Sequence, residues 1–251
     1  MRPLRRAVLV GLFFAIPSIH ASERFPMRMP LAPLSMEVEF GVIATTGNTD
    51  SSALKGKATI KQDFRAWKNK YEMDTLYKRD RYEGISETTA QKVFLSAQSD
   101  YKLSAENTSI FVFGSYTDDR FSGYDYQNTI AIGYSRRLFS HSNAFLDYNI
   151  GPGYSFNRTD EGNKEDSIIV HLEAEYEYRF SSEVKFTQTL GSDLALEGHK
   201  NTLSKSETAI SARLRDNLSM KAAYSITHNS VVLDNREKTD STTSMTLAYS
   251  F

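Results

Sequence analysis

The segment from Asp166 to Phe180 alternates between apolar and ionic side chains. One set of alternate positions is apolar or aromatic and comprises Ile168, Val170, Leu172, Ala174, Tyr176, Tyr178 and Phe180. The other set comprises His171, Glu173, Glu175, Glu177 and Arg179. Because successive side chains of a β-strand point to opposite faces, the pattern predicts a strand with one apolar and one charged face. The apolar face needs lipid, a second sheet or helices to cover it, and the sequence contains no amphipathic helical pattern.

The same alternation recurs along the chain and predicts twelve strands. Segments rich in Tyr, Phe, Thr, Val and Ile are separated by clusters of Asn, Asp, Gly and Ser, which is typical of strands joined by turns. The chain has 14 Tyr and 15 Phe but only 6 Pro. The predicted strands cover residues 36–45, 52–67, 70–80, 89–103, 108–117, 128–139, 144–157, 166–180, 184–196, 204–215, 218–228 and 239–251.

The predicted connections alternate between short turns and longer charged loops. The short turns are 68–69, 104–107, 140–143, 181–183 and 216–217. The longer loops are 82–88, 118–127, 158–165, 197–203 and 229–238, and the brief connection at 46–51 is the exception. Outer-membrane barrels alternate in this way, whereas a Greek-key sandwich has no reason to. We therefore predict an all-β fold, a closed antiparallel up-and-down transmembrane β-barrel of about 12 strands.

The first residues are typical of an export signal. Three arginines precede the apolar run from Ala7 to Ile16, which Pro17 ends, and Ala21 is a small residue at a plausible cleavage point. The run is too short to span a hydrocarbon core of about 30 Å as a helix. The predicted organisation is a signal peptide at 1–21, a periplasmic lead-in at 22–35 and an outer-membrane barrel at 36–251. The expected location is the outer membrane of a Gram-negative bacterium, which the protein reaches by export after cleavage of the signal peptide.

The composition argues against several classes of function. The formal net charge is −1, and about −4 without the three N-terminal arginines, so the chain is not expected to bind nucleic acid. The absence of cysteine excludes a disulfide framework and a thiolate metal site. After the signal no apolar stretch approaches the length of a membrane helix. No cofactor is predicted.

Four short motifs carry a resemblance to a known family. The last strand alternates apolar and small polar residues and ends on Phe251, which resembles the terminal strand that the barrel-assembly machinery of the outer membrane reads. This Tyr-Ser-Phe end, Glu39-Phe40-Gly41, Thr46-Gly47-Asn48-Thr49 and Gly151-Pro152-Gly153-Tyr154 together resemble the family of salt-induced outer-membrane proteins. The resemblance covers most of residues 36–251. It implies a Gram-negative outer-membrane barrel, a domain of unknown function with no established reaction.

The predicted inward face is densely ionic, and these charges are the candidate functional residues. They are Glu37, Glu39, Lys55, Lys57, Glu173, Glu175, Glu177, Arg179, Arg213 and Arg215. Opposite charges on adjacent strands form favourable pairs of a few tenths to about 1 kcal/mol. One interpretation is that the charges form structural ladders that fill the lumen. The other is a narrow aqueous path in which fixed charges select ions or small solutes. A twelve-strand barrel is compatible with either.

Catalysis is a competing hypothesis, because some outer-membrane barrels are lipases or proteases. His199 and His228 fall near the predicted outer rim, with Ser204, Ser230 and Asp234 close in sequence. Adjacent residues such as His141-Ser142-Asn143 do not normally form a triad. His171 beside Glu173 and Glu175 is an unspecific metal pattern, so neither a catalytic nor a metal-binding residue is predicted.

The sequence thus favours a non-enzymatic outer-membrane barrel, either a narrow solute or ion pore or a structural barrel for envelope stress. A salt response is implied by the resemblance alone. The alternatives are an outer-membrane hydrolase that uses external loops and a periplasmic β-sandwich that binds a ligand. The expected partners are outer-membrane lipid and, during biogenesis, the barrel-assembly machinery. The sequence does not define a solute.

Overall fold

The computed structural model describes residues 34–45, 50–82, 85–103, 107–120, 122–232 and 237–251. They form twelve strands: β1 (Leu34–Thr45), β2 (Asp50–Asp63), β3 (Trp67–Tyr82), β4 (Ile85–Lys102), β5 (Thr108–Asp119), β6 (Tyr124–Ser140), β7 (Ala144–Thr159), β8 (Lys164–Arg179), β9 (Val184–Ala195), β10 (Leu203–Arg215), β11 (Leu218–Asn229) and β12 (Thr239–Ser250). Each strand pairs with its neighbour in the chain, and β12 pairs with β1, so the sheet is a closed barrel. All pairings are antiparallel, as in Glu37↔Ser250 at the closing edge. The predicted fold class is confirmed.

Two predicted segments lie at or beyond the limits of the described residues. The signal peptide at 1–21 lies outside them, as does the lead-in at 22–35 except for Leu34 and Ser35, which begin β1. Among the residues that the structure describes, no helix has the length and apolar character needed to cross a membrane. The single closed sheet has no second sheet packed on it, so the sandwich alternative is wrong.

The turn between β2 and β3 lies earlier than predicted. The sequence pattern places residues up to Trp67 in the second strand, but β2 ends at Asp63 and Trp67 begins β3. The Phe64 amide donates to the Trp67 carbonyl at 2.7 Å and closes the turn. Trp67 pairs with Tyr101 of β4, and their rings meet edge to face with centroids 5.1 Å apart. This cross-strand aromatic contact explains why Trp67 belongs to the third strand.

Most of the predicted long loops are shorter, because the strands continue into them. β3 ends at Tyr82 and β4 begins at Ile85, while β7 and β8 stay paired as far as Arg158↔Lys164. Backbone ladder bonds do not depend on side-chain polarity, so charged residues extend a strand wherever water reaches both of its faces. Only the connections at 196–202 and 230–238 are long. The predicted alternation of loop length is therefore wrong over most of the barrel.

The two faces of the sheet have opposite chemistry. Large apolar side chains are exposed on the outer wall, as for Ile132 at 55%, Ile168 at 55% and Leu247 at 51%. Several of the most buried side chains are polar, with Glu39 at 4% and Thr246 at 3% exposure. A water-soluble protein shows the reverse arrangement. The predicted faces of β8 are confirmed, since Ile168 points outward and His171 and Glu177 are buried inside.

The ladder between β6 and β7 is interrupted beside Pro152. Residue pairs resume on either side, at Ala131↔Gly153 and Tyr134↔Ile150. Between them Gly133 and Gly151 approach so closely that a Cβ on Gly151 would lie 2.1 Å from the Ile132 carbonyl oxygen. Proline lacks the amide that a ladder needs, so the local irregularity at Gly151-Pro152-Gly153 has a direct physical cause.

Candidate functional site in the lumen

A continuous chain of ion pairs crosses the lumen near its middle. We call it the ion-pair layer, and it consists of Glu39, Lys57, Lys61, Lys70, Glu72, Glu173, Glu175, Glu207 and Lys221. Every member comes from an inward-facing position of β1, β2, β3, β8, β10 or β11. Five carboxylates thus alternate with four ammonium groups, and acids and bases share their partners.

One half of the layer is centred on Glu207. Its Oε1 atom lies 2.9 Å from the Lys221 Nζ and 3.7 Å from the Lys57 Nζ. Lys221 also contacts the Glu39 Oε1 at 2.9 Å, and Lys57 contacts the Glu72 Oε1 at 3.3 Å. β2 and β10 are not neighbours in the sheet. The Lys57–Glu207 pair therefore joins two separate parts of the wall across the lumen.

The other half is centred on Lys70. Its Nζ lies 4.0 Å from the Glu72 Oε2, 3.6 Å from the Glu173 Oε1 and 3.7 Å from the Glu175 Oε2. Lys61 lies 3.9 Å from the other Glu175 oxygen. Since β3 and β8 lie far apart in the strand order, these contacts also span the lumen. The two halves meet at Glu72 and together obstruct the passage.

Hydroxyl groups complete the bonding of the layer. Thr246 donates to the Glu39 Oε2 at 3.1 Å, and Ser225 donates to the Glu207 Oε2 at 3.3 Å. The side chains of Glu39, Lys57 and Lys221 retain only 5%, 14% and 11% exposure. Charges removed from water to this extent need both opposite charges and hydrogen bonds, and the layer supplies both.

A cavity of about 690 Å³, which we call the vestibule, lies on the side of the layer toward the β5–β6 and β11–β12 connections. Its lining includes Lys55, Lys78, Lys92, Phe94, Phe113, Asp119, His171, Asp193, Lys205 and Asp240, with members of the layer as its floor. Lys92 pairs with Asp119 at 3.6 Å and Lys78 with Asp80 at 3.1 Å. The Lys55 Nζ donates to the Ser244 Oγ at 3.2 Å.

Lys205 and His171 differ from these vestibule groups in their bonding. The Lys205 Nζ lies 3.9 Å from the centroid of the Phe94 ring and within 4.0 Å of no carboxylate among the described residues. The His171 Nδ1 contacts the Asp193 Oδ1 at 2.6 Å, and the imidazole stacks on Phe113 at 4.4 Å. Its Nε2 is buried and has no hydrogen-bond partner. Within the described parts of the chain, no cluster of three potential metal ligands occurs.

The structure distributes the predicted lumen charges over distinct positions. Glu39, Lys57, Glu173 and Glu175 belong to the ion-pair layer, and Lys55 lines the vestibule. Two further contacts lie at the end of the barrel where β1 begins and β12 ends. The Arg179 Nε donates to Glu177 at 2.8 Å, and Ser250 donates to Glu37 at 3.3 Å.

Two predicted lumen residues lie at the end of β10. The Arg215 side chain is 87% exposed and lies 3.8 Å from Asp216 in the β10–β11 turn, and Arg213 is also exposed beside this turn. A register shift separates them, and the structure does not bring either residue together with the other predicted charges. Their assignment to the lumen stays a prediction.

The sequence reasoning missed Glu207, Lys70 and Lys205. The signal was present in the sequence. Lys205 and Glu207 are alternate residues on one face of β10, and the other face carries outward residues such as Ile210. The alternation identifies an inward side chain, but it does not identify its partner on a distant strand.

The histidine and serine positions considered for catalysis are spread over the loops and the outer wall. Ser204 lies opposite His228 in the β10–β11 ladder, and both line an outer-wall cavity of about 480 Å³. The Ser204 Oγ contacts the Ser192 Oγ at 2.8 Å, and the His228 Nδ1 contacts the Thr239 Oγ1 at 2.8 Å.

The other three positions lie apart from this pair. The His199 side chain is 75% exposed. The Ser230 Oγ accepts a hydrogen bond from the Thr202 amide. Asp234 lies outside the described residues.

Comparison with known proteins identifies relatives over nearly the whole barrel. The family model described as "Protein of unknown function, DUF481" matches residues 38–251. The "Uncharacterized protein YdiY" of Escherichia coli (strain K12) is 24% identical over 220 residues, which cover 87% of this chain and 83% of that protein.

Solved structures with similar folds include two barrels. The translocator domain of the autotransporter NalP from Neisseria meningitidis has 10% identity and a TM-score of 0.45, over 87% of this chain and 86% of that one. The NanC porin has 11% identity and a TM-score of 0.45, over 86% and 97%.

Proposed function

The chain belongs to the DUF481 family of proteins of unknown function, and we propose that it is an outer-membrane barrel with a narrow solute path. The ion-pair layer is the constriction of that path. The proposal rests on one observation, the two ion pairs that cross the lumen. Lys57 pairs with Glu207 and Lys70 pairs with Glu173, and each pair joins separate parts of the wall. Both lysines also contact the same acid, Glu72. A lumen filled only for structural reasons needs no cavity lined by polar and charged side chains on one side of such a layer.

The membrane location is supported by the outer wall. A closed sheet leaves no unpaired strand edge, and the large outward side chains are apolar, which suits a surface in contact with lipid. Aromatic side chains such as Tyr249 and Phe251, with ring centroids 4.7 Å apart, cluster where the chain ends. On this proposal the N-terminal segment directs export, and the barrel-assembly machinery reads the end at Phe251.

Cell fractionation and a matched pair of variants test the location. The protein should fractionate with the outer membrane, and unboiled samples should migrate differently from boiled ones on a denaturing gel. Leu172→Arg on the outer wall should cost about 2–4 kcal/mol if this position lies near the bilayer midplane. Ser182→Arg in the exposed β8–β9 connection is the control and should fold normally. A soluble periplasmic product would contradict the proposal.

The constriction opens, on this proposal, by exchange of ion-pair partners. Several contacts of the layer are 3.6–4.0 Å long, so they are electrostatic contacts without tight hydrogen-bond geometry. Mobile ions compete for such charges, and the Debye length falls from about 8 Å at physiological ionic strength to about 3 Å at 1 M salt, which is comparable to these contact distances. Conductance should therefore rise more steeply with salt concentration than the conductivity of the bathing solution. This behaviour would give the barrel a salt response.

Recording from the purified, refolded protein in planar bilayers tests the path. The double variant Lys70→Met/Glu173→Gln removes a cross-lumen pair and should raise the single-channel conductance. The control is Arg215→Gln, which removes an exposed charge at the rim and should leave conductance unchanged. If neither the parent nor the double variant conducts, the barrel is structural and the layer is a plug.

Ester hydrolysis is a second candidate, favoured by the Ser204–His228 pair. These residues face each other on the lipid side, and Thr239 orients the imidazole through Nδ1. The adjoining cavity is lined by Ile150, Leu172, Leu190 and Ile226, which suit an acyl chain. The imidazole would take the Ser204 proton as Oγ attacks the ester carbonyl, and it would return that proton to the alkoxide as the acyl C–O bond breaks and the lysophospholipid leaves. Water, deprotonated by the same imidazole, would then attack the acyl-Ser204 ester, and the fatty acid would leave as Ser204 recovers its proton. A fluorogenic phospholipid should be cleaved by the parent and by Ser206→Ala but not by Ser204→Ala. Equal turnover by all three removes this candidate.

A further inference from the structure

The vestibule has the size and lining of a ligand site. Its volume of about 690 Å³ lies within the range of pockets that enclose small molecules. The aromatic rings of Phe94 and Phe113 share the lining with ammonium, carboxylate and imidazole groups. A mixed lining of this kind orients a small molecule by a few polar contacts and buries its apolar face.

Lys205 is the cation of the vestibule that lacks a conventional partner. Lys92, Lys78 and Lys55 each contact a carboxylate or hydroxyl oxygen. The Lys205 ammonium group instead reaches across the lumen from β10 and rests on the Phe94 ring of β4. A ring face attracts a cation, but it leaves ammonium N–H donors unused. Gly191, directly opposite Lys205 on β9, has no side chain that would fill the space beside it.

His171 provides a second, independent unsatisfied group. The residue is only 5% exposed, and Asp193 fixes its ring through Nδ1 while Thr129 donates to the other Asp193 oxygen at 2.8 Å. The ring orientation is thus set, and yet Nε2 has no partner. Buried polar atoms nearly always have one, so an unpaired atom in a cavity wall is available to a bound molecule.

We propose that the vestibule binds one small organic anion, whose carboxylate pairs with Lys205 and whose polar edge bonds to the His171 Nε2. An anion is favoured over a cation because the neighbouring acids already have partners. Asp119 pairs with Lys92, the two Asp193 oxygens are hydrogen-bonded to His171 and Thr129, and Asp74 lies in the field of Lys57 and Lys55. The apolar rings of Phe94 and Phe113 beside these two groups favour an organic anion over an inorganic ion.

This inference rests on the proposed function, because the vestibule would be the loading site of the path above its constriction. Binding itself does not need conduction. Equilibrium dialysis on the detergent-solubilised full-length protein measures the site without a bilayer, so its result is independent of the conductance result. Radiolabelled 4-hydroxybenzoate, whose hydroxyl group supplies the polar edge, serves as the probe and is called benzoate below. Its uncharged counterpart is 4-hydroxybenzamide, called benzamide below.

Benzoate should bind saturably near one molecule per barrel and at least tenfold more tightly than benzamide. Lys205→Met should lower the benzoate affinity at least tenfold and leave benzamide unchanged, while Lys205→Arg restores most of the affinity. Lys164→Met, at an exposed lysine that starts β8, is the control and should bind as the parent does. Each variant is first checked for heat-modifiable migration, so a folding defect is recognised.

Three results would overturn the site. One is equal affinity for benzoate and benzamide, and another is unchanged benzoate binding by a folded Lys205→Met variant. The third is displacement of benzoate by sulfate at equal concentration, which would identify a simple inorganic-anion site. A barrel that binds benzoate as described but never conducts would retain this inference and lose the proposed pore.

Discussion

The ion-pair layer and the vestibule are built from the same residue types, but they use their charges differently. In the layer, Glu207 contacts two lysines and Lys70 contacts three glutamates, so the central charges are shared. In the vestibule, Lys205 rests on an aromatic ring, and one nitrogen of His171 has no hydrogen-bond partner among the residues that the structure describes. Mutual pairing makes the layer a structural and obstructing element. Incomplete pairing leaves the vestibule able to exchange contacts with a solute.

The largest expected effect comes from removing an acid at the centre of the layer. Glu207→Gln leaves Lys57 and Lys221 with one fewer counter-charge in a half-dry site, and it should lower the free energy of unfolding by about 3 kcal/mol. The measurement is urea unfolding in lipid vesicles, followed by Trp67 fluorescence and gel migration. The control is Asp240→Asn, an exposed vestibule acid, with an expected change within about 0.5 kcal/mol. Equal losses for both variants would erase the distinction between the two regions.

A clear effect on selectivity is expected from the β8 glutamates. Replacing Glu173, Glu175 and Glu177 together by Gln leaves Lys70, Lys61 and Lys185 in excess inside the lumen. In a conducting barrel the reversal potential should then shift toward anion preference, because fixed charges in a narrow pore act strongly on ions. A conducting triple variant with the parent's reversal potential would show that these acids lie off the path.

The smallest effect is expected from the vestibule cation. Lys205→Met removes a charge without stranding a paired acid, so the free energy of unfolding should change by less than about 1 kcal/mol. The same urea titration that is used for Glu207→Gln gives a direct comparison. A loss as large as that of Glu207→Gln would mean that Lys205 is part of the structural network, and the vestibule would then resemble the layer.

The fold was largely predictable because it depends on local alternation. In β7 and β8, the positions that alternate in sequence also alternate between the outer wall and the lumen, and no distant information is needed. The errors arose where pairing with a neighbouring strand determines the bounds of a strand. Trp67 joins β3 because Tyr101 lies beside it, and the charged segment before Thr89 joins β4 because Tyr82 and its neighbours are there to pair with it.

The candidate site was predictable only in part, for a related reason. Alternation placed Glu39 and Lys57 in the lumen, but it gave no reason to pair Lys57 with Glu207, which is remote in sequence and on a non-adjacent strand. Such contacts depend on the diameter of the closed barrel and the reach of lysine side chains. The Lys205–Phe94 contact has the same origin. Local pattern therefore identifies the members of the lumen, and the three-dimensional closure determines their partners.

The seam that closes the barrel is its shortest pairing. β1 and β12 pair only from Glu37↔Ser250 to Phe40↔Leu247, whereas β1 and β2 pair from Leu34↔Gln62 to Thr45↔Ser51. The seam joins the two ends of the chain, so its loop-closure entropy is the largest of any strand pair and we expect it to form last.

Glu39 lies in the seam, and its carboxylate bonds to Thr246 of β12 and Lys221 of β11. The last step of folding therefore also joins the ion pairs to the first strand. A defect at Lys221 should slow the closing step while the hairpins form at their usual rate.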